Sequence, residues 1–387
     1  MSEVLSMINL VNMKFKELFG NLDNVRNFFS PGRVNIIGEH IDYNGGFVMP
    51  CAINKGTYFA IRLNNTSMVN VYSMQFEELG VVSFDVYDET HTKTYSDFVK
   101  GVMKILNIHV GFDMVCCGTI PHSSGLSSSA SFSTGVGFAL STLVNNVIKG
   151  TELALACKRV ENEFMGVNSG IMDQFIICNG VENGALLLDC NTLKYETIPF
   201  ELEDNVLIIA NTNKKRQLAD SKYNERRAEC ERALEIINQN GYSFDCLCDI
   251  KEEQVDLLIK LLNDEVLEKR FRHAVTENVR TIKASKALKE GNIKLLGELL
   301  TASHLSLQND YEVSGKELDT LVHSFLKQEG CVGARMTGAG FGGCCIALFK
   351  KGTESKAISK VKERYLSEIG YEPSFYEVLV AGGTKEI

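Results

Sequence analysis

Residues 121–131 read Pro121-His-Ser-Ser-Gly-Leu-Ser-Ser-Ser-Ala-Ser131. The apolar run before them, Phe112–Ile120, is predicted as a strand that ends at Pro121. After them Val136, Ala139, Leu140, Leu143 and Val147 recur on one face of a predicted helix. A glycine–serine loop between a strand and a helix start makes a cradle for an anion. Its small side chains let backbone N–H groups approach a phosphate, and the helix adds its positive dipole end. Ser127, Ser128 and Ser129 add hydroxyls for phosphate oxygens or Mg²⁺. No lysine follows, so this is not the G-x-x-x-x-G-K-[ST] loop. A serine-rich cap on an ordinary helix is the plainer alternative.

Two further glycine-bearing segments lie far from this one. Residues 30–46 read Ser30-Pro-Gly-Arg-Val-Asn-Ile-Ile-Gly-Glu-His-Ile-Asp-Tyr-Asn-Gly-Gly46, and residues 336–344 read Met336-Thr-Gly-Ala-Gly-Phe-Gly-Gly-Cys344. The first holds Arg33, Glu39, His40 and Asp42. Two carboxylates and an imidazole can accept hydrogen bonds from vicinal hydroxyls, which suits a polyol. A single histidine without a partner at zinc spacing argues against a metal there. Arg33 either pairs with a carboxylate or stabilises a transferring phosphoryl group. Asp173, between Met172 and Phe175 after a glycine turn, either accepts a proton from a substrate hydroxyl or caps a helix. Three such loops in this order describe a small-molecule phosphotransferase.

The 387 residues favour two domains. A net charge of −9 without a long Lys/Arg run argues against nucleic acid and anionic membranes as partners. The twelve cysteines form no C-x-x-C pair and read as buried thiols of a reducing cytoplasm. Met1–Gly20 reads as a short amphipathic helix, not a signal peptide, and no run approaches a membrane span. Short strands are predicted at Phe47–Ile53, Thr57–Leu63, Met68–Met74 and Val81–Val86, and later at Leu186–Leu188, Val206–Ala210, Cys344–Phe349 and Tyr376–Val380. Helical patterns cover 252–263, 276–301 and 316–328. The fold class is α+β with two domains, divided near residues 190–205.

The chain resembles the galactokinase family, within the superfamily of galactokinases, homoserine kinases, mevalonate kinases and phosphomevalonate kinases. Gly32–Gly46 is similar to the galactokinase signature almost residue for residue. Gly125–Ser131 resembles the superfamily phosphate loop, and Gly338–Gly343 its third motif. The resemblance implies an N-terminal two-layer α/β domain (1–195), a C-terminal ferredoxin-like domain (196–387) and an active site between them, with the last strand packing back on the first domain. It implies ATP-dependent phosphorylation of galactose at its C1 hydroxyl, with Mg²⁺ as cofactor. A monomer is plausible, and no oligomeric state is read from the sequence. It assigns Asp173 as catalytic base and Arg33 as the arginine that assists transfer. It gives Glu39, His40, Ile41, Asp42, Gly170 and Tyr223 to the sugar. Ser123, Ser124, Gly125, Leu126, Ser127, Ser128 and Ser129 fall to the ATP phosphates, Ser73 to the nucleotide, and Ser129 with Glu161 to Mg²⁺.

Three positions depart from the family pattern. Ser123 stands where glycine is usual, Ser169 where cysteine is common, and Ile41 where threonine is common. Kinases of N-acetylgalactosamine also tend to carry isoleucine at that last position. They and arabinose kinases are the enzyme alternatives. A sugar sensor without turnover is the alternative from another class, but such sensors lack part of the Ser129-Ala130 segment that is intact here.

Overall fold

The computed structural model describes residues 2–120, 125–167, 169–214 and 219–387. Ser123 and Ser124 of the phosphate loop therefore lie outside the described residues. In chain order the first half contains α1 (Ser2–Phe19), β1 (Arg26–Asn35), β2 (Phe47–Val48), β3 (Pro50–Leu63), β4 (Met68–Ser73), β5 (Val82–Asp85), α2 (Ser96–Leu106), β6 (Phe112–Gly118), α3 (Ser128–Leu143), α4 (Gly150–Arg159), α5 (Met172–Asn179), β7 (Gly184–Asp189) and β8 (Tyr195–Pro199). The second half contains β9 (Asn205–Asn211), α6 (Ala219–Gln239), α7 (Val255–Leu258), α8 (Glu265–Lys289), α9 (Ile293–Asn309), α10 (Lys316–Leu326), β10 (Cys331–Thr337), β11 (Cys344–Lys350), α11 (Glu354–Ile369), β12 (Ser374–Val378) and β13 (Lys385–Glu386).

The strands form three sheets in a mixed α/β fold. The largest runs β13-β1-β3-β6-β4-β5, antiparallel except for β4 beside β6. A four-stranded antiparallel sheet runs β10-β11-β9-β12, and a small one β2-β7-β8. The expected division at 195/196 falls inside β8, which stays paired with β7, so the passage to the four-stranded sheet comes at residues 200–204. After β12 the chain turns back. Val380 bridges Ile53, and β13 adds to β1 with Phe28 opposite Glu386. Arg26 holds that edge with two hydrogen bonds to the Glu386 carboxylate, each 2.6 Å.

Four expectations are corrected by the packing. The strands read at 47–53 and 57–63 are mostly one long strand, β3, because pairing with β1 resumes at Gly56 and a register shift at Pro31/Gly32 absorbs the unpaired residues 54 and 55. The helix read at 276–301 is two helices. Gly291 takes φ +66°, and the Asn292 side chain accepts from Leu295 N–H at 3.0 Å to start α9. The helix read through Val147 ends at Leu143, since Asn145 turns left-handed and leaves Val147 exposed. Residues 252–263 are a string of short turns with only α7 as α-helix. The amphipathic α1 forms as read, with Val11 and Phe15 buried beside Tyr58 and Tyr72.

Helix α9 lies against β10 backbone to backbone at Gly297. A Cβ on Gly297 would overlap the Val332 carbonyl, and one on Gly333 would overlap the Gly297 backbone. This contact fixes how deep β10 sits, and β10 carries a residue of the site described next. Gly297→Ala is expected to destabilise the fold by about 1–3 kcal/mol through overpacking. Thermal unfolding measures it, and an unchanged Tm would show that α9 can shift away freely.

Candidate active site

Strand β1 delivers Arg33 to the centre of the molecule, and the first turn of α5 delivers Asp173. The two meet as a fork on a carboxylate. Arg33 Nε donates to Asp173 Oδ1 at 2.8 Å and Nη2 to Oδ2 at 3.0 Å. The third guanidinium nitrogen, Nη1, donates to the Gly125 carbonyl at 2.6 Å. Arg33 thus ties the loop before α3 to Asp173. The Ser127 hydroxyl also donates to Asp173 Oδ2. Ser127 is therefore committed to the carboxylate in this structure, although the sequence assigned it to phosphate. Leu126 is buried, and its carbonyl accepts from Arg33 N–H at 3.3 Å.

Around this pair lies a cavity of about 490 Å³ lined by Arg33, Glu39, His40, Asp42, Glu161, Gly170, Asp173 and Tyr223, among others. These residues come from four separate stretches of chain and were all singled out from the sequence. Ile41 is not among them. It is fully buried, with its side chain packed against Gly46 in the core. Glu39 is 2% exposed. Its Oε2 accepts from Arg335 Nη2 at 2.8 Å and Asn35 Nδ2 at 3.1 Å, and its Oε1 from Gly338 N–H at 2.9 Å. Burial pushes its carboxyl upward, against the pull of Arg335 and Arg33. One lone pair on Oε1 is left for the cavity. Asp42 lies against Gly170, where a Cβ would overlap its Oδ2, so glycine gives this carboxylate its room. Burial and then the neighbouring Asp173 push Asp42 up to about 6.

His40 has both ring nitrogens engaged by protein. Nε2 lies 3.1 Å from the Ala339 carbonyl and so carries the proton, and Nδ1 accepts from the Tyr43 hydroxyl at 2.8 Å. Tyr311 OH in turn lies 2.8 Å from Tyr43 OH. Burial lowers His40 to about 3, so the ring is neutral. The sequence reading treated it as a hydroxyl acceptor, but in this arrangement it offers the cavity a ring face. Tyr223 stands beside it, with ring centroids 5.5 Å apart.

A second cavity of about 830 Å³ opens on the other side of the α3 start. Phe76, Leu79, Tyr95, Phe98, Phe132 and Met165 make it apolar, and Ser73, Ser128 and Ser129 add polar edges. Phe76 and Tyr95 are stacked, 5.6 Å between centroids. The two cavities meet at Ser129 and Glu161, where Ser129 Oγ lies 3.4 Å from Glu161 Oε1. Glu161 sits in a π-helical turn, Val160–Phe164, and burial raises its carboxyl. Ser169 also donates to it. Among the described residues no group of three or more His, Cys, Asp or Glu side chains could hold a metal. A hydroxyl and one carboxylate nevertheless fit Mg²⁺, which takes most of its shell from phosphates and water.

Arg335, Tyr43 and Tyr311 escaped the sequence reading. Arg335 is fully buried in β10 and also donates to the Asn35 and Ile36 carbonyls at 2.8 and 3.1 Å. Its signal was present. An arginine inside the otherwise apolar stretch Cys331–Thr337, just before a glycine motif, needs a buried anion.

Comparison with known proteins identifies the family. The galactokinase galactose-binding signature matches residues 13–63, the GHMP kinase N-terminal domain 97–181, and the GHMP kinase C-terminal domain 284–366. The chain is 48% identical to a galactokinase of Clostridium beijerinckii, over 98% of this chain and 99% of the relative. It is 46% identical to that of Clostridium acetobutylicum, over 99% and 100%. The crystal structure of Lactococcus lactis galactokinase complexed with galactose superposes with a TM-score of 0.94 at 46% identity, covering 99% of this chain and all of that one. Methanococcus jannaschii mevalonate kinase, at 22% identity and a TM-score of 0.65 over 92% of this chain and 98% of that one, shares the fold. The fold is thus that of the GHMP kinases, and within them the chain belongs to the galactokinase family.

The Glu39–Arg335 pair generates a stability prediction. Arg335→Met leaves a buried carboxylate without its cation and is expected to cost about 3–5 kcal/mol, with the double variant Glu39→Gln/Arg335→Met recovering part of it. Denaturant unfolding of the wild type, Arg335→Met, Glu39→Gln and the double variant measures the coupling. Single-variant losses that add up to the loss in the double variant would show that the pair does not interact energetically.

Proposed function

We propose that the chain phosphorylates α-D-galactose at its C1 hydroxyl with ATP, giving galactose 1-phosphate and ADP. The observation that carries this reading is the Arg33–Asp173 fork in the wall of a polar cavity that meets an apolar cavity at Ser129 and Glu161. The polar cavity takes the sugar, with Glu39, Asp42, Gly170 and Tyr223 around it. The galactose in the Lactococcus lactis structure supports that assignment. The apolar cavity takes the adenosine, and the start of α3 takes the phosphates through its N–H groups, Ser128 and Ser129.

In the reaction a bond forms between the C1 oxygen and the γ-phosphorus, and the bond from that phosphorus to the β–γ bridging oxygen breaks. Asp173 accepts the hydrogen bond of the C1 hydroxyl and then its proton. Arg33 holds Asp173 in place and offsets charge on the transferring group. Ser129 and Glu161 would hold Mg²⁺, which would supply positive charge to offset that of the phosphates. Positioning and charge stabilisation supply most of the rate, because phosphoryl transfer asks little covalent chemistry of the protein.

We read the whole as two domains, with the site between them. The order β10-β11-β9-β12 and the sequence strand–helices–strand–strand–helix–strand support a ferredoxin-like second half. Twelve thiols, none joined in a disulfide, suit a reducing cytoplasm. No helix among the described residues is long and apolar enough to cross a membrane.

Asp173→Asn is expected to lose on the order of 10²-fold or more in kcat while keeping galactose binding. Coupled ADP release measures turnover, and the same assay on glucose, arabinose and N-acetylgalactosamine tests the choice of sugar. Near-normal turnover in the variant would remove Asp173 from the chemistry. Comparable rates on glucose and galactose would sink the galactose assignment.

A pH dependence follows from Asp42. The ionised form is the better acceptor for sugar hydroxyls, so galactose favours it. Because the free carboxyl sits at about 6, affinity is full above that pH and falls as pH drops through it. Calorimetric titration with galactose from pH 8 to pH 5 is expected to show the loss, and Asp42→Asn to remove the step near 6. His40, neutral over that range, contributes none. A flat profile in the wild-type protein would take Asp42 out of the sugar contacts.

A further inference from the structure

His273 and Glu277 stand four residues apart on α8, one turn of helix, and neither lines a cavity. Both are fully buried. Glu277 Oε1 accepts from the backbone N–H of Gly38 at 3.0 Å and of Glu39 at 3.4 Å. His273 Nε2 lies 3.1 Å from the Glu39 carbonyl, so this nitrogen carries the proton and donates. The backbone of Glu39 is thus gripped on both its N–H and its C=O by one turn of one helix. The next residue, His40, has φ +61°, a left-handed conformation that a side chain resists unless its surroundings impose it. The loop that presents Glu39 and Asp42 is held from behind by a helix that never reaches the cavity.

We propose that Glu277 and His273 are positioning residues that fix the backbone of residues 38–40, and through it the aim of the Glu39 and Asp42 carboxylates at the sugar. The inference rests on the galactose reading of the polar cavity. Glu277 is built for the task. Ser303 Oγ donates to its Oε1 at 2.6 Å and Arg280 Nε to its Oε2 at 2.7 Å. Burial alone would raise its carboxyl, but Arg280, His273, Arg335 and the Ser303 hydroxyl hold it down at about 2. It stays an anion, and an anion is the strongest acceptor for two backbone N–H groups. His273 Nδ1 faces Ser306 Oγ at 3.0 Å, which orients the ring toward Glu39. A merely structural pair would weaken everything together when removed. A positioning pair would weaken the sugar and spare the nucleotide, whose cavity lies on the other side of α3.

The test uses the full chain and four variants. Glu277→Gln keeps the shape and one acceptor but loses the charge. Glu277→Gln/Arg280→Met guards against misfolding by removing the arginine that would be left unpaired. His273→Leu removes the donor to the Glu39 carbonyl, and His273→Gln returns an N–H near its place. Galactose binding is read by calorimetry without nucleotide, binding of Mg²⁺ with a non-hydrolysable ATP analogue separately, and amide hydrogen exchange over residues 36–46. The expected result is a galactose Kd raised on the order of tenfold in the Glu277 variants and in His273→Leu, with partial recovery in His273→Gln. Nucleotide affinity stays within about twofold, and exchange at Gly38 and Glu39 accelerates. Equal losses of sugar and nucleotide affinity, or an unchanged galactose Kd, would overturn the proposal. If the wild-type chain binds no galactose, the sugar reading fails on its own. The exchange arm then still decides the grip, which faster exchange at 38–39 upholds and unchanged exchange overturns.

Discussion

A carboxylate with almost no contact with water sits where both halves of this chain meet, and the arrangement around it follows from keeping it satisfied. Glu39 needs donors on both oxygens, because a buried charge left unpaired costs several kcal/mol. Arg335 comes from β10, nearly 300 residues further along, Gly338 N–H from the loop after β10, and Asn35 from β1. Each of these must be held in turn. The close contact of α9 with β10 sets the depth of Arg335, and the Arg335 guanidinium closes back on the Asn35 and Ile36 carbonyls. One ion pair therefore locks the four-stranded sheet to the strand that carries Arg33. The polar cavity is the space left beside it.

What the sequence made legible is what is local. The loop before α3, the cluster of Arg33, Glu39, His40 and Asp42, and Asp173 could be read because each motif holds its chemistry within a few residues. The cavity brings the cluster and Asp173 together with Glu161, Gly170 and Tyr223. The supporting shell was not legible. His273 and Glu277 lie on a helix whose polar residues, judged by period alone, look like a solvated face, and only the buried loop packed against them shows otherwise. Arg335 is a charge in an apolar strand, a warning whose partner lay too far away to name. Two side-chain placements were equally beyond local pattern. Ser127 was given to phosphate because serine in such a loop suits it, but the Asp173 carboxylate is close enough to take its hydroxyl. Ile41 was given to the sugar because its neighbours face the cavity, whereas its side chain fills the core. Boundaries moved where a side-chain cap or a left-handed residue decided them, at Asn292 and Asn145.

His40 shows how packing can fix a protonation state without a charged partner. The imidazole has one donor site and one acceptor site only when neutral. Here the Tyr43 hydroxyl fills the acceptor and the Ala339 carbonyl takes the donor. A proton on Nδ1 would face a hydroxyl that already donates to it, in a pocket that disfavours charge. Burial and hydrogen bonding thus select the same neutral tautomer. The ring stays neutral between the 36–46 loop and the third glycine motif at any pH well above 3.

The charges that remain indicate what the site awaits. Glu39 has Arg335, and Asp173 has Arg33. Among the described residues Asp42 and Glu161 have no cationic partner. Burial raises both, and the Asp173 charge adds to each. A sugar supplies hydroxyl donors for Asp42 but nothing that would neutralise Glu161. Glu161 touches Ser129 at the start of α3, where two phosphate groups would add further negative charge to a helix end able to balance only part of it. An uncompensated carboxylate beside a hydroxyl and a polyphosphate is an oxygen-rich, electron-rich corner, and a small divalent cation is what such a corner binds. Of the carboxylates around the polar cavity, Glu39 and Asp173 are paired by the protein, whereas Asp42 and Glu161 are left for donors or a cation brought from outside, which the proposed reaction would supply.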